Sequence, residues 1–209
     1  MVYSVDIYDK KWKVVSTIDL NGDVFADENI NEWLIHEYVL LQSSNARNNI
    51  ACTKWRGEIA WSGRKIFKQK GTGNARAWDR NSPVRKGWWV VFWPRWERNF
   101  EKAMNKKARR LALMGIITLK AKEKSILWLK DFDLSKPKTK DLLDVVKNIW
   151  IDGKKTLFVL GSKNENIEKS LRNIVNVKYI TIGYLNPLDI MSAKKVVFFE
   201  TALNAINSK

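Results

Sequence analysis

The chain has 209 residues and a formal net charge of +16, from 38 Lys and Arg against 22 Asp and Glu. With 45% apolar residues it can bury a core, so its length suits one domain, or one domain with an arm. No apolar run reaches the roughly 18 residues that span a bilayer, and a single cysteine, Cys52, excludes an internal disulfide. We therefore expect a cytoplasmic protein with no membrane partner.

The first 42 residues predict a β-hairpin followed by a helix. Apolar and polar residues alternate over 2–8, a polar turn follows at 9–13, and a second strand is predicted over 14–18. Asp27 is the predicted cap of a helix that ends near Gln42, and Glu28 suits its positive N-terminus. The apolar positions of this helix, three and four residues apart, are Ile30, Trp33, Leu34, Tyr38 and Leu41.

Periodicity then stops from residue 43 to about residue 99. Between Lys54 and Arg110 there are 17 Lys and Arg against four acids, which gives 57 residues a net charge of +13. Loops longer than roughly 12–15 residues without structure are usually functional or disordered. This stretch has too little apolar pattern for a core of its own, so we expect a polyanion, most simply a nucleic acid, to order it.

Helix and strand patterns alternate in the remaining chain. A helix is predicted over 104–122, with Leu111, Met114, Ile117 and Ala121 on one stripe. Strands are predicted at 125–130, 156–160, 177–182 and 196–199, and helices at 140–149, 165–174 and 201–206, with helix starts at the caps Thr139 and Asn186. The expected fold is α/β, a mixed and largely parallel sheet with flanking helices and a long extended basic loop insertion.

The residues that could support catalysis lack the partner residues that a catalytic or metal site needs. Gly161 to Lys163 follow an apolar strand but miss the glycine spacing of a phosphate loop, and no strand precedes the glycines at 71–73. His36, the only histidine, has no nucleophile in a suitable context. Asp131 and Asp133 have no metal-ligating neighbours, and a strand end entering a loop explains them. We expect no enzyme, cofactor or metal site.

The sharper signal is the run from Arg64 to Arg76, in which cations alternate with small residues and one aromatic, Phe67. Backbone and cationic groups of such a run can approach phosphates, while the aromatic ring can stack on a base. The alternative interpretation is a solvated charge run. It is weakened because so dense a positive charge repels itself, and because glycines let the chain approach a surface closely.

A family resemblance rests on short motifs in and around this run. They are Thr53-Lys54, Arg56-Gly57-Glu58, Gly63-Arg64-Lys65, Lys68-Gln69-Lys70-Gly71-Thr72-Gly73, Ala75-Arg76-Ala77, Ser82-Pro83, Val90-Val91-Phe92, Pro94-Arg95 and Asn105-Lys106-Lys107. With them the whole chain resembles the bacterial L-four family of large-subunit ribosomal proteins. It departs from the family pattern at Ile66, Phe67 and Asn74, where proline, tryptophan and arginine are usual.

The resemblance implies a single α/β domain over 1–209, with an extended loop inserted at 43–100. The domain would bind large-subunit ribosomal RNA through a basic globular face and through this loop. The loop tip, about 67–73, would help to line the peptide exit tunnel. Implied partners are that RNA, neighbouring large-subunit ribosomal proteins and the nascent peptide. The predicted RNA-binding residues are Lys54, Arg56, Arg64, Lys65, Phe67, Lys68, Gln69, Lys70, Gly71, Thr72, Gly73, Arg76, Arg80, Arg85, Lys86, Arg95, Arg98, Lys106, Lys107, Arg109 and Arg110.

Two other functions stay open from the residues alone. A free nucleic-acid chaperone or regulator could use the same basic arm, and would be distinguished by not sedimenting with large subunits. A nucleotide-binding α/β enzyme would need phosphate-loop residues that the sequence lacks.

The eleven tryptophans form a separate pattern. Trp61, Trp78, Trp88, Trp89 and Trp93 stand where the family has glycine, and the chain has 10 glycines where the usual 7% or so would give about 15. Our hypothesis is that they are glycines, from a lineage that reads the UGA codon as glycine. The alternatives are a base-stacking platform, with about 1–3 kcal/mol per stacked base, and core burial, which fits Trp33 and Trp128.

Overall fold

The computed structural model describes residues 4–22, 25, 30–60, 62–85, 91–134, 136–148 and 155–207. The chain divides into two compact units. The sheet unit comprises Met1–Ser43 and Lys102–Lys209, and the loop unit comprises Ser44–Glu101.

The sheet unit contains one six-stranded sheet with the strand order β2-β1-β3-β6-β4-β5. Its strands are β1 (Ser4–Tyr8), β2 (Val14–Asp19), β3 (Ile126–Leu129), β4 (Thr156–Leu160), β5 (Val177–Thr181) and β6 (Lys195–Phe199). The hairpin of β1 and β2 is antiparallel, and every other neighbouring pair is parallel. The predicted α/β class with a mixed, largely parallel sheet is confirmed.

Six helices accompany the sheet in the described residues. They are α1 (Glu32–Asn45), α2 (Lys106–Lys122), α3 (Thr139–Asn148), α4 (Glu165–Leu171), α5 (Pro187–Ser192) and α6 (Glu200–Asn207). Successive residues of a strand point to opposite faces, so β4 sends Leu157 and Val159 into one core cluster and Phe158 and Leu160 into the other. The first cluster includes residues of α1, α2, α5 and α6, and the second includes residues of α3 and α4.

The start of α1 differs from the prediction. The helix begins at Glu32, because the carboxamide oxygen of Asn31 accepts a hydrogen bond from the Leu34 N–H at 3.1 Å and so caps it. Ile30 therefore precedes the helix, and the predicted cap Asp27, with Glu28, lies outside the described residues. Ile35 is the buried position of this helix, whereas Trp33 is 70% exposed, which corrects the predicted burial of that indole.

The buried face of α2 also differs from the predicted stripe. Ile116 and Ala112 are buried together with Ile117 and Ala121, while Leu111 is 41% exposed. Helix α3 begins at Thr139 itself, whereas Thr139 was predicted to precede it as a cap. The prediction for α5 is confirmed: Pro187 is its first residue, and the Asn186 side chain accepts the Asp189 N–H at 2.9 Å.

The carboxyl ends of the parallel strands are closed by their own side chains. Gly161 ends β4 in a turn, as predicted, and a Cβ there would lie 2.2 Å from the Thr201 hydroxyl oxygen. The Thr201 N–H donates to Asp131 at 3.1 Å, and the Asn164 amide donates to Asp133 at 3.0 Å. These contacts occupy the edge at which open α/β sheets usually bind ligands.

The described tryptophans differ in backbone geometry and burial, and one of them has a conformation that suits glycine. Trp12 lies in the hairpin turn with φ +60°, a conformation that bulky side chains rarely adopt and glycine adopts freely. Trp128 is buried as the core alternative requires, yet its indole N–H has no hydrogen-bond partner among the described residues. Trp78 and Trp96 are 69% and 65% exposed. Trp61, Trp88, Trp89 and Trp150 lie outside the described residues.

If the eleven tryptophans are glycines, the protein purified from its native host will be lighter than the written sequence by eleven tryptophan-to-glycine differences. Intact-mass spectrometry measures this directly, and the gene should carry UGA at those positions. UGG codons at most of them would refute the hypothesis.

Deletion of residues 44–101, with a short flexible linker in their place, should leave a cooperatively folded sheet unit, because both core clusters lie within it. Urea unfolding followed by circular dichroism measures this. The full-length chain is the control, and a truncated chain without a sigmoidal transition would contradict the expectation.

Candidate nucleic-acid interface

The loop unit consists of two arms that run antiparallel without forming a sheet in its described residues. The outgoing arm, 44–66, contacts the returning arm, 78–100, through isolated hydrogen bonds. The Ser44 hydroxyl donates to the Phe100 carbonyl at 2.6 Å, the Thr53 N–H to the Pro94 carbonyl at 3.1 Å, and the Ile66 N–H to the carbonyl of residue 78 at 3.0 Å. The turn between the arms therefore falls at about 67–77.

Side chains supply much of the remaining connection between the arms. The Asn49 amide nitrogen lies 2.9 Å from the carbonyl oxygens of both Arg95 and Arg98. The guanidinium groups of Arg47 and Arg98 lie 4.2 and 5.1 Å from the centre of the Phe100 ring. Sequence reasoning missed Asn49 and Arg47, since an isolated asparagine or arginine in a polar stretch carries no signal of its partner across the loop.

One ion pair joins the described residues of the two arms. The Arg95 guanidinium donates to the Glu58 carboxylate at 2.7 Å, and this hydrogen bond holds the pKa of Glu58 below its ordinary value. Because the pKa of Glu58 is lower in the folded chain, the pair contributes to stability at pH values above the ordinary pKa. This contribution is lost as the pH falls through the lowered pKa. Among the described cations of the loop unit, Arg95 alone has a carboxylate within salt-bridge distance.

The tip depends on two glycines in the left-handed region, Gly71 at φ +79° and Gly73 at φ +68°. Nothing lies within 4 Å of a Cβ built at either position, so the backbone conformation, and not crowding, requires glycine there. The Lys65 ammonium donates to the Gln69 side chain at 2.7 Å and to the Ala77 carbonyl at 3.4 Å, which ties the tip to its arms. All residues from 68 to 76 are exposed.

Two open grooves bring predicted RNA-binding residues together. The first is lined by Arg64, Lys65, Lys68 and Arg80, together with Phe67. The second is lined by Arg56, Arg76 and Arg85. The Arg85 guanidinium lies 5.8 Å from the centre of the Phe67 ring, so a cation and an aromatic face are adjacent here. In each groove, several cations could contact the same phosphate at once.

Other predicted residues are not grouped in this way. Lys54 and Arg98 are exposed on opposite arms, Arg95 is engaged with Glu58, and Lys86 lies outside the described residues. The exposed cations at the start of α2 belong to the sheet unit, where Asn105 precedes the helix without a side-chain cap bond. These are Lys106, Lys107, Arg109 and Arg110.

The described residues offer little for other chemistry. No group of three or more His, Cys, Asp or Glu side chains in them could hold a metal ion. His36 and Cys52 are both exposed. None of the helices in the described ranges has the length and apolar character to cross a bilayer.

Comparison with known proteins gives one consistent result. The model of the Ribosomal protein L4/L1 family matches residues 18–209. The large ribosomal subunit protein uL4 of Mycoplasma capricolum is 37% identical over 202 residues, which cover 97% of each chain. That of Geotalea uraniireducens is 39% identical over 97% of this chain and 96% of its own, and that of Halothermothrix orenii is 36% identical over 95% and 94%. The family model and these relatives cover nearly the whole chain, and the chain belongs to the ribosomal protein L4/L1 family.

Proposed function

We propose that this chain binds large-subunit ribosomal RNA through the loop unit and the basic start of α2. As a member of its family it is a structural protein of the cytoplasmic large ribosomal subunit and not an enzyme. The observation that carries the RNA proposal is the set of exposed cations on the two arms, nearly all without an acid partner in the described residues.

The arrangement suits the backbone of RNA better than its base edges. Arg64, Lys68 and Arg80 converge on one groove, and Arg56, Arg76 and Arg85 on the other, as cations that neutralise phosphates do. Contacts of this kind position a protein on RNA and release counterions, which makes the affinity depend on salt. Phe67 can add stacking on an unpaired base.

The tip is proposed to reach the wall of the peptide exit tunnel. Gly71 and Gly73 give the turn a narrow backbone with no Cβ, and the residues from 68 to 76 are exposed. A slender exposed turn of this kind can pass between RNA helices where bulkier chains cannot. Its neighbours there would be RNA, other large-subunit proteins and the nascent peptide.

Substitution of Arg64, Lys68 and Arg80 by glutamine should weaken binding to a transcript of the host's large-subunit rRNA and flatten its salt dependence. If the wild-type chain contacts 6–10 phosphates, its affinity should fall by about 10³–10⁵ between 50 and 200 mM salt. The slope of log affinity against log salt concentration should be shallower by roughly 2–3 in the variant. Filter binding across a salt series measures both.

The matched control neutralises three exposed lysines of the α3 region, Lys138, Lys140 and Lys147, and should leave the slope unchanged. Wild-type binding that is indifferent to salt would contradict the proposal. Native protein that binds RNA but does not sediment with large subunits would support the free chaperone instead.

A photoreactive amino acid placed at Thr72 should crosslink to the nascent chain on translating ribosomes, because the exposed tip is proposed to face the tunnel. The same group at Asn173, exposed in the sheet unit, is the control and should give no nascent-chain product. Gel analysis of radiolabelled nascent chains measures the yield. A tip that crosslinks to RNA alone would overturn the tunnel assignment and leave RNA binding intact.

A further inference from the structure

A second group of cations lies at the amino ends of the parallel strands. We call it the amino edge and define it by Lys122, Lys124, Lys155, Lys178, Lys194 and Lys195. Lys124 lies just before β3, Lys155 just before β4, and Lys194 just before β6. The strand register places Thr156 beside Lys195 and Leu157 beside Lys178. Since neighbouring strands are about 4.8 Å apart, these lysines form a row across β3, β6, β4 and β5.

Two acids among the described residues of this edge are engaged. The Glu123 carboxylate lies 3.2 Å from the Lys120 ammonium. Asp189 accepts from the Lys178 ammonium at 2.5 Å and from the Asn186 amide at 2.8 Å. The described residues of the amino edge therefore carry more lysines than acids.

Three lysines of the row have no such partner in the described part of the chain. The side chains of Lys124, Lys155 and Lys194 are exposed and lie near no carboxylate there. Their backbones are fixed in place: the Lys194 N–H donates to the Lys155 carbonyl at 2.8 Å, and the Lys195 ammonium donates to the Lys124 carbonyl at 2.8 Å. Neighbouring strands thus hold three lysines side by side that have no carboxylate partner among the described residues.

The opposite edge of the same sheet carries charges of both signs. Asp131, Asp133, Glu165 and Glu200 follow the strands there, and so do Lys130 and Lys163. Asp131 and Asp133 are hydrogen-bonded to Thr201 and Asn164, and the Glu165 carboxylate lies 3.2 Å from the Lys169 ammonium. A polyanion that approaches this sheet is therefore attracted more strongly to the amino edge.

We propose that the amino edge is a second RNA contact, at which Lys124, Lys155 and Lys194 bind successive phosphates of a ribose-phosphate strand. The inference rests on the proposed function, since it presupposes that the chain binds large-subunit RNA, but it uses none of the residues of the loop unit. Lysines can bind phosphates because an ammonium is a compact point charge on a flexible stem.

The test compares the amine reactivity of lysines in the full-length chain with and without a transcript of the host's large-subunit rRNA. Brief acetylation followed by mass spectrometry should show Lys124, Lys155 and Lys194 several-fold slower to react when RNA is bound. Lys140 and Lys147, exposed on α3, should keep their rates. The triple substitution Lys124→Gln, Lys155→Gln and Lys194→Gln should flatten the salt slope of binding by roughly 2–3.

Lys68 and Lys70 in the same experiment report on the loop unit and so separate the two proposals. If they are protected while the amino-edge lysines are not, this inference fails and the proposed function stands. If neither set is protected, both fail. Protection of the amino edge in whole large subunits but not with RNA alone would indicate an acidic protein partner and would also overturn the inference.

Discussion

Uncompensated positive charge is the constraint on which the loop unit depends. Apart from the pair of Arg95 with Glu58, its described cations lack a carboxylate close enough to neutralise them, so bringing its arms closer together costs electrostatic energy. The arms are accordingly joined by single hydrogen bonds, by Asn49 and by the Phe100 ring, and not by a continuous ladder. Under the proposed function, RNA phosphates supply the missing negative charge, and the same cations are the binding groups.

The sheet unit has the opposite organisation, because it is stabilised by apolar burial on both faces of a largely parallel sheet. Its carboxyl edge corresponds to the ligand edge of many α/β enzymes, yet Asp131 is hydrogen-bonded to Thr201 there and Asp133 to Asn164. The chain's own side chains thus occupy this edge, so function has to be argued from side chains and not from architecture.

Left-handed backbone conformations occur both at the loop tip and in the hairpin turn. The tip needs the left-handed backbone of Gly71 and Gly73, and the hairpin turn at residue 12 adopts the same region although the written residue is tryptophan. Under the recoding hypothesis, the loop unit would have an even narrower and more flexible backbone than the written sequence implies. Its path among RNA strands would then depend on glycine at more positions than the two tip residues.

The sequence by itself determined the elements with strong local patterns: the hairpin, the apolar run of β4, the start of α5 at Asn186 and Pro187, the charged loop and the tip motif that indicates the family. These depend on neighbours within a few residues, where period and capping chemistry are informative. Only the tertiary structure decided the strand order, the buried face of α2 and the contacts of Asn49. It also grouped Lys124, Lys155 and Lys194, which are far apart in the chain, because parallel strands align their amino ends through contacts that no local pattern encodes.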